Sequence, residues 1–118
     1  MPKTRTKNDL LPGTLDVLVL KTLSGGAEHG YGIARQIQRT SRDVLEVEEG
    51  SLYPALHRME KKGWIRAEWG VSDSNRRAKY YALTRRGRKE LERQQESWKT
   101  FSTAVTRVLE ARPAGGGA

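Results

Sequence analysis

The sequence predicts a mainly α-helical chain with one small β-hairpin, an α+β class, and three observations carry that expectation. Residues 49–62 separate into two helical faces, with Leu52, Ala55, Leu56 and Met59 as an apolar stripe and Tyr53, Pro54, His57, Arg58 and Lys61 opposite. Gly63 then interrupts the pattern and an alternating segment follows, Trp64-Ile65-Arg66-Ala67-Glu68-Trp69. Near the end of the chain, apolar residues recur in steps of seven. Helix, glycine, strand, basic turn and strand, in that order, describe a winged helix-turn-helix, here followed by one long C-terminal helix.

Taken in order, residues 1–11 read as a flexible basic arm with Lys3, Arg5 and Lys7. A first helix opens at Pro12 and Thr14, buries Leu15, Leu18, Val19 and Leu23, and ends at Gly25-Gly26. A second spans about 31–40, burying Ile33 or Ala34 and Ile37, with Arg35, Gln36 and Arg39 outward. The link at 41–49 holds Val44, Leu45 and Val47, an extended piece expected to pair with the later hairpin. Pro54 lacks an N–H, so the third helix must begin only a few residues before it. Residues 64–69 and 77–83 form the hairpin, and 70–76 its turn-rich tip.

Thr84 can cap the last helix, at about 85–111. Its seam places Leu91, Trp98 and Val105 in one series and Gln94, Phe101 and Val108 in the other. Such a helix is ~40 Å long, more than this small chain can cover, so the seam is expected to pack on a second copy. The expected divisions are therefore an arm at 1–11, a DNA-binding domain at 12–83, a dimerisation helix at 84–111 and a disordered tail at 112–118.

Charge and composition bear on partners. The 118 residues carry 22 Lys and Arg against 14 Asp and Glu, a net charge of +8, which favours a polyanionic partner. Only 36% of residues are hydrophobic, a modest core for a monomer and a reason to bury surface against another subunit. There is no cysteine, which excludes disulfides and thiolate metal sites. No apolar run approaches the ~20 residues that span a bilayer, and no signal-peptide core follows the basic start. A cytoplasmic protein with no membrane association is expected. His29 and His57 are the two histidines. No phosphate-loop signature accompanies the glycines, so neither an enzyme, a metal nor a cofactor is expected.

Four motifs in register, His29-Gly30-Tyr31-Gly32-Ile33, Glu49 through Leu56, Lys62-Gly63-Trp64-Ile65 and Arg76 through Thr84, closely resemble the PadR family of bacterial transcriptional regulators. The resemblance runs from residue ~12 to ~110 and is to the short subfamily with a single C-terminal helix. It implies a homodimeric repressor of a palindromic operator in double-stranded DNA. It also implies that a small planar aromatic effector can act, with Trp98 where family members stack a tryptophan on the ligand.

With docking as in other winged helices, Ser51, Tyr53, Pro54 and His57 meet base edges or flanking phosphates, and Arg58 and Lys61 neutralise phosphate charge. Tyr53 has a second reading, as a packing residue. Arg76, Arg77 and Lys79 on the wing follow phosphates or enter a minor groove. Tyr31, Arg35 and Gln36 are expected phosphate contacts on the second helix. Glu48 and Glu49 fit the positive end of a helix dipole. Trp98 is either dimer core or one wall of an effector pocket with Phe101, Leu15 and Leu18. Two rivals remain in view: an unregulated basic winged helix, and a protein-interaction module that uses the long helix.

Overall fold

The computed structural model describes residues 13–114. The expected arm at 1–11, the role given to Pro12, and residues 115–118 of the expected tail lie outside the described residues. The elements are α1 (Thr14–Leu23), β1 (Glu28–His29), α2 (Gly30–Thr40), α3 (Glu49–Lys61), β2 (Ile65–Val71), β3 (Arg77–Leu83) and α4 (Arg85–Glu110). The class is α+β, with a three-stranded antiparallel sheet of order β1-β3-β2.

Helix α1 packs against α2, α3 and α4 at once. Its buried side is Asp16, Val19, Leu20 and Leu23, so the expected stripe is rotated. Leu20 enters the core, while Leu15 and Leu18 are half-buried at its edge. With packing on several sides, a single stripe no longer describes the helix.

The sheet contains the expected hairpin, as β2 and β3, and adds one strand to it. Its third strand is β1, pairing Glu28 with Tyr81 and His29 with Tyr80, and the link at 41–48 pairs with no strand. The reason is backbone geometry at the end of α2. Arg42 and Asp43 adopt positive φ of 55° and 65° and turn the chain sharply, and Leu45 and Val47 then pack onto the core. His29 ends β1 and starts α2 in the same residue, its Nδ1 accepting the Gly32 N–H at 3.0 Å.

Helix α3 follows its pattern, burying Leu52, Ala55, Leu56 and Met59. Pro54 is tolerated near the start, where the carbonyl it leaves unpaired belongs to exposed Gly50. Gly63, at φ 78°, closes the helix in a Schellman arrangement: its N–H reaches the Glu60 carbonyl and the Trp64 N–H reaches Met59. That turn aims the chain into β2, which pairs with β3 from Ile65↔Leu83 to Val71↔Arg77.

Thr84 ties the sheet to α4. Its hydroxyl accepts the Gly87 N–H at 3.0 Å and lies 2.6 Å from the Gly63 carbonyl, to which it donates. Gly87 and Leu91 are buried, so the first two turns of α4 belong to the domain core. Leu91, 7% exposed, is thus corrected from a dimer-seam residue to a core residue. Heptad spacing describes a stripe but cannot say whether the surface it meets belongs to the same chain. Beyond Leu91 the helix passes along α1 as far as Phe101 and then extends away, giving a body of 63 × 36 × 21 Å.

Candidate nucleic-acid interface

The outward side of α3 presents Ser51, Tyr53, Pro54, His57 and Lys61, all exposed. They alternate with the four buried residues, so core packing of one face fixes the direction of the other. Tyr53 is 43% exposed and its ring lies against the backbone of Gly30 at the start of α2. The packing reading of Tyr53 is met on the side toward Gly30, and the other side of the ring is open to solvent.

Two concavities flank Tyr53. Toward the wing, a groove of about 1040 Å³ is bordered by Tyr31, Arg35, Arg39, Trp69, Arg77 and Lys79. On the other side, a recess of about 610 Å³ adds Arg42 and Glu49. On α2, Arg35 donates from Nη1 to the Tyr31 hydroxyl at 3.3 Å, and its guanidinium lies 5.7 Å from that ring. This hydrogen bond holds the Arg35 pKa above its ordinary value. On the wing, Arg76 and Arg77 are exposed, and the Arg77 guanidinium stacks 4.5 Å from the Trp69 ring. Lys79 sits deeper, with Nζ 3.9 Å from a Glu60 carboxylate oxygen and 5.9 Å from the Tyr81 ring. Arg39, Arg42 and Trp69 were not singled out from sequence as part of this surface; Arg39 was readable there as an outward cation on the same helix.

Two expected contacts have other occupations. The Gln36 amide donates to Glu28 Oε1 at 3.0 Å and ties α2 to β1, while the half-buried side chain still borders the wing-side groove. Without the short strand in view, the helical pattern could only call Gln36 outward. Arg58 forks onto Asp16, Nη1 and Nη2 reaching the two carboxylate oxygens at 2.7 and 2.8 Å. That bond raises the Arg58 pKa and ties the guanidinium to α1, with the side chain still half exposed. Asp16 was visible in sequence as an acid inside an apolar run, which needs a partner if buried.

The seam of α4 leaves Trp98, Phe101, Val105, Val108 and Leu109 exposed at 45, 53, 39, 75 and 77% in the single chain. Gln94 is half-buried and donates to Glu90 at 2.6 Å. A crevice of about 420 Å³ between α1 and α4 is lined by Thr14, Val17, Gln94, Trp98 and Phe101 among others. The Trp98 and Phe101 rings are 6.0 Å apart. Leu15 and Leu18 do not line it. At helical spacing Thr14 and Val17 share the side of α1 that faces α4, and Leu15 and Leu18 turn toward other neighbours.

Among the described residues, no group of three or more His, Cys, Asp or Glu could hold a metal, and no helix is long and apolar enough to cross a membrane.

Comparison with known proteins shows the family. The model described as the Transcriptional regulator PadR-like family matches residues 19–93. A PadR-like transcriptional regulator from Bacillus cereus strain ATCC 14579 is similar at 31% identity and a TM-score of 0.75, with 88% of this chain and 99% of that one covered. A PadR family transcription regulator from Clostridium difficile R20291 is similar at 32% identity and a TM-score of 0.71, covering 82% and 99%. An uncharacterised protein of Lysinibacillus sphaericus is 30% identical over 105 residues, 88% of this chain and 95% of its own.

Proposed function

The chain belongs to the PadR-like family of transcriptional regulators, and from that premise we propose that it is a cytoplasmic, homodimeric repressor of a palindromic operator. PadR-family regulators bind DNA and are generally dimeric, and the family is one of regulators, not of enzymes. The observation that carries the reading is the outward side of α3, where Ser51, Tyr53, Pro54 and His57 stand between cations of α2 and of the wing. A helix in the major groove reads base edges from its N-terminal part. Arg35 and Arg39 on one side and Arg76 and Arg77 on the other then meet the bordering phosphates, with Arg77 held extended by Trp69. The exposed apolar half of α4 is the dimer surface, and two α3 helices enter successive major grooves about one helical turn, ~34 Å, apart.

The α1–α4 crevice is the proposed seat of a small planar aromatic effector, with the Trp98 indole as its stacking surface. Occupation at the dimer axis changes the spacing of the two α3 helices, and a few ångströms spoil simultaneous docking.

Replacing Tyr53 and His57 by alanine tests the reading. The expected result is a collapse of discrimination between operator and random duplex with general DNA affinity retained. Undiminished discrimination would place base reading elsewhere. A planar aromatic that saturates the chain yet leaves operator affinity unchanged would remove the effector from the account.

A further inference from the structure

We propose that Asp16 is a positioning residue for DNA reading: its fork with Arg58 sets the rotation of α3, and Arg58 serves as a strut instead of a phosphate contact. The inference rests on α3 being the DNA-reading helix.

Among the described residues Asp16 is the buried charged side chain, 7% exposed in the apolar side of α1. A carboxylate there is costly unless its oxygens are satisfied, and both are satisfied by one guanidinium 42 residues further along the chain. A two-toothed bond fixes orientation as well as distance, because the planar fork must align with the planar carboxylate. The other contacts of α3 are made by the apolar Leu52, Ala55, Leu56 and Met59, which have little angular preference, and by the Tyr53 ring against Gly30. Arg58 emerges at the edge of that stripe, next to outward His57. The fork therefore fixes α3 about its own axis where its apolar packing is least directional. A few degrees of rotation there move Tyr53 and His57 along a base edge.

The alternative, a phosphate contact with Asp16 as a bystander, predicts effects of opposite sign. Asp16→Asn removes a negative charge from a DNA-binding domain and frees a guanidinium, which should leave binding equal or tighter. A strut predicts weaker operator binding. Arg58→Lys keeps the charge but loses the planar fork. A phosphate contact would tolerate that exchange, whereas a strut would not.

The experiment compares the full chain with D16N, R58K and D16N/R58K on its selected operator and on random duplex. Dimer state and far-ultraviolet dichroism are recorded beside each titration. The expected result is a loss of about tenfold in operator affinity for each single variant, unchanged affinity for random duplex, and no further loss in the double variant. Arg58 is half exposed, so R58K keeps the test decisive even where D16N folds poorly. Operator binding by R58K at the unmodified chain's level, tighter binding by D16N, or additive losses would overturn the strut alone. An unmodified chain that prefers no duplex would overturn the DNA reading and the strut together.

Discussion

The Tyr53 hydroxyl occupies the space that a β-carbon on Gly30 would need, 2.7 Å from its position. One helix thus begins with a missing side chain, and an aromatic from the next helix occupies that space. Gly30→Ala should push the ring outward, since an exposed tyrosine can move at little cost. The expected outcome is a melting transition changed by less than ~1 kcal/mol with operator affinity clearly reduced. Unchanged affinity would remove Tyr53 from the DNA face.

Gly87 makes the reverse case. Alanine is favoured over glycine within a helix by about 1 kcal/mol, but a β-carbon here would collide with the Trp64 carbonyl and crowd a Leu83 methyl at 2.8 Å. Backbone cannot swing aside as a side chain can. Gly87→Ala is expected to destabilise by roughly 2 kcal/mol in urea unfolding, the scale of overpacking. A gain in stability would contradict the close approach of α4 to the α3–β2 turn.

The wing prediction concerns salt. If Arg77 neutralises one phosphate, Arg77→Ala should lower the slope of log affinity against log salt by about 0.9. The change should be equal on operator and random duplex, because phosphates carry no sequence information. A slope that stays put would make the Arg77–Trp69 stack a purely structural feature.

Leu91 and Phe101 lie ten residues apart on α4, with opposite assignments. Leu91→Ala opens a hole in the protomer core and should cost about 2–5 kcal/mol of stability. Phe101→Asp should leave the protomer folded and shift the dimer toward monomer in sedimentation. A swap of these two outcomes would return Leu91 to the seam.

One carboxylate gives a pH dependence. Hydrogen bonds from Arg93, at 3.1 and 2.6 Å, foremost, and from Gln94, hold the Glu90 pKa below its ordinary range. With the folded value depressed, the stabilisation is present above the unfolded-state pKa and is lost as pH falls through the folded one. Glu90→Gln should therefore show a shallower loss of stability on acidification than the unmodified chain, measured by thermal melts across pH 3 to 6. Identical acid limbs would mean that the pair contributes nothing to folding.

Much of this architecture was legible from local pattern. The two faces of α3, the limits of β3, the Thr84 cap and the Gly63 stop each depend on residues within a few positions of one another. What was not legible depends on distance along the chain. A two-residue strand such as Glu28-His29 has no periodicity, and exists because Tyr80 and Tyr81 offer it a ladder. Gln36 is tied to β1 because that strand brings Glu28 beside it. The Asp16–Arg58 fork joins residues 42 apart, and only the position of Asp16 inside an apolar run hints that a partner exists. The rotation of α1 was misjudged for a related reason: Thr14 and Val17 face a helix more than seventy residues away in sequence, which the apolar pattern of α1 cannot reveal.

The central claim is sequence-specific reading by paired α3 helices. Its most direct measurement is selection of duplexes by the purified chain from a random-sequence pool, followed by a salt titration on the best binder. The account predicts an inverted repeat with half-site centres about one helical turn, ~34 Å, apart, bound far more tightly than random duplex. Steep salt dependence with no preferred sequence would mean general phosphate binding and would contradict it.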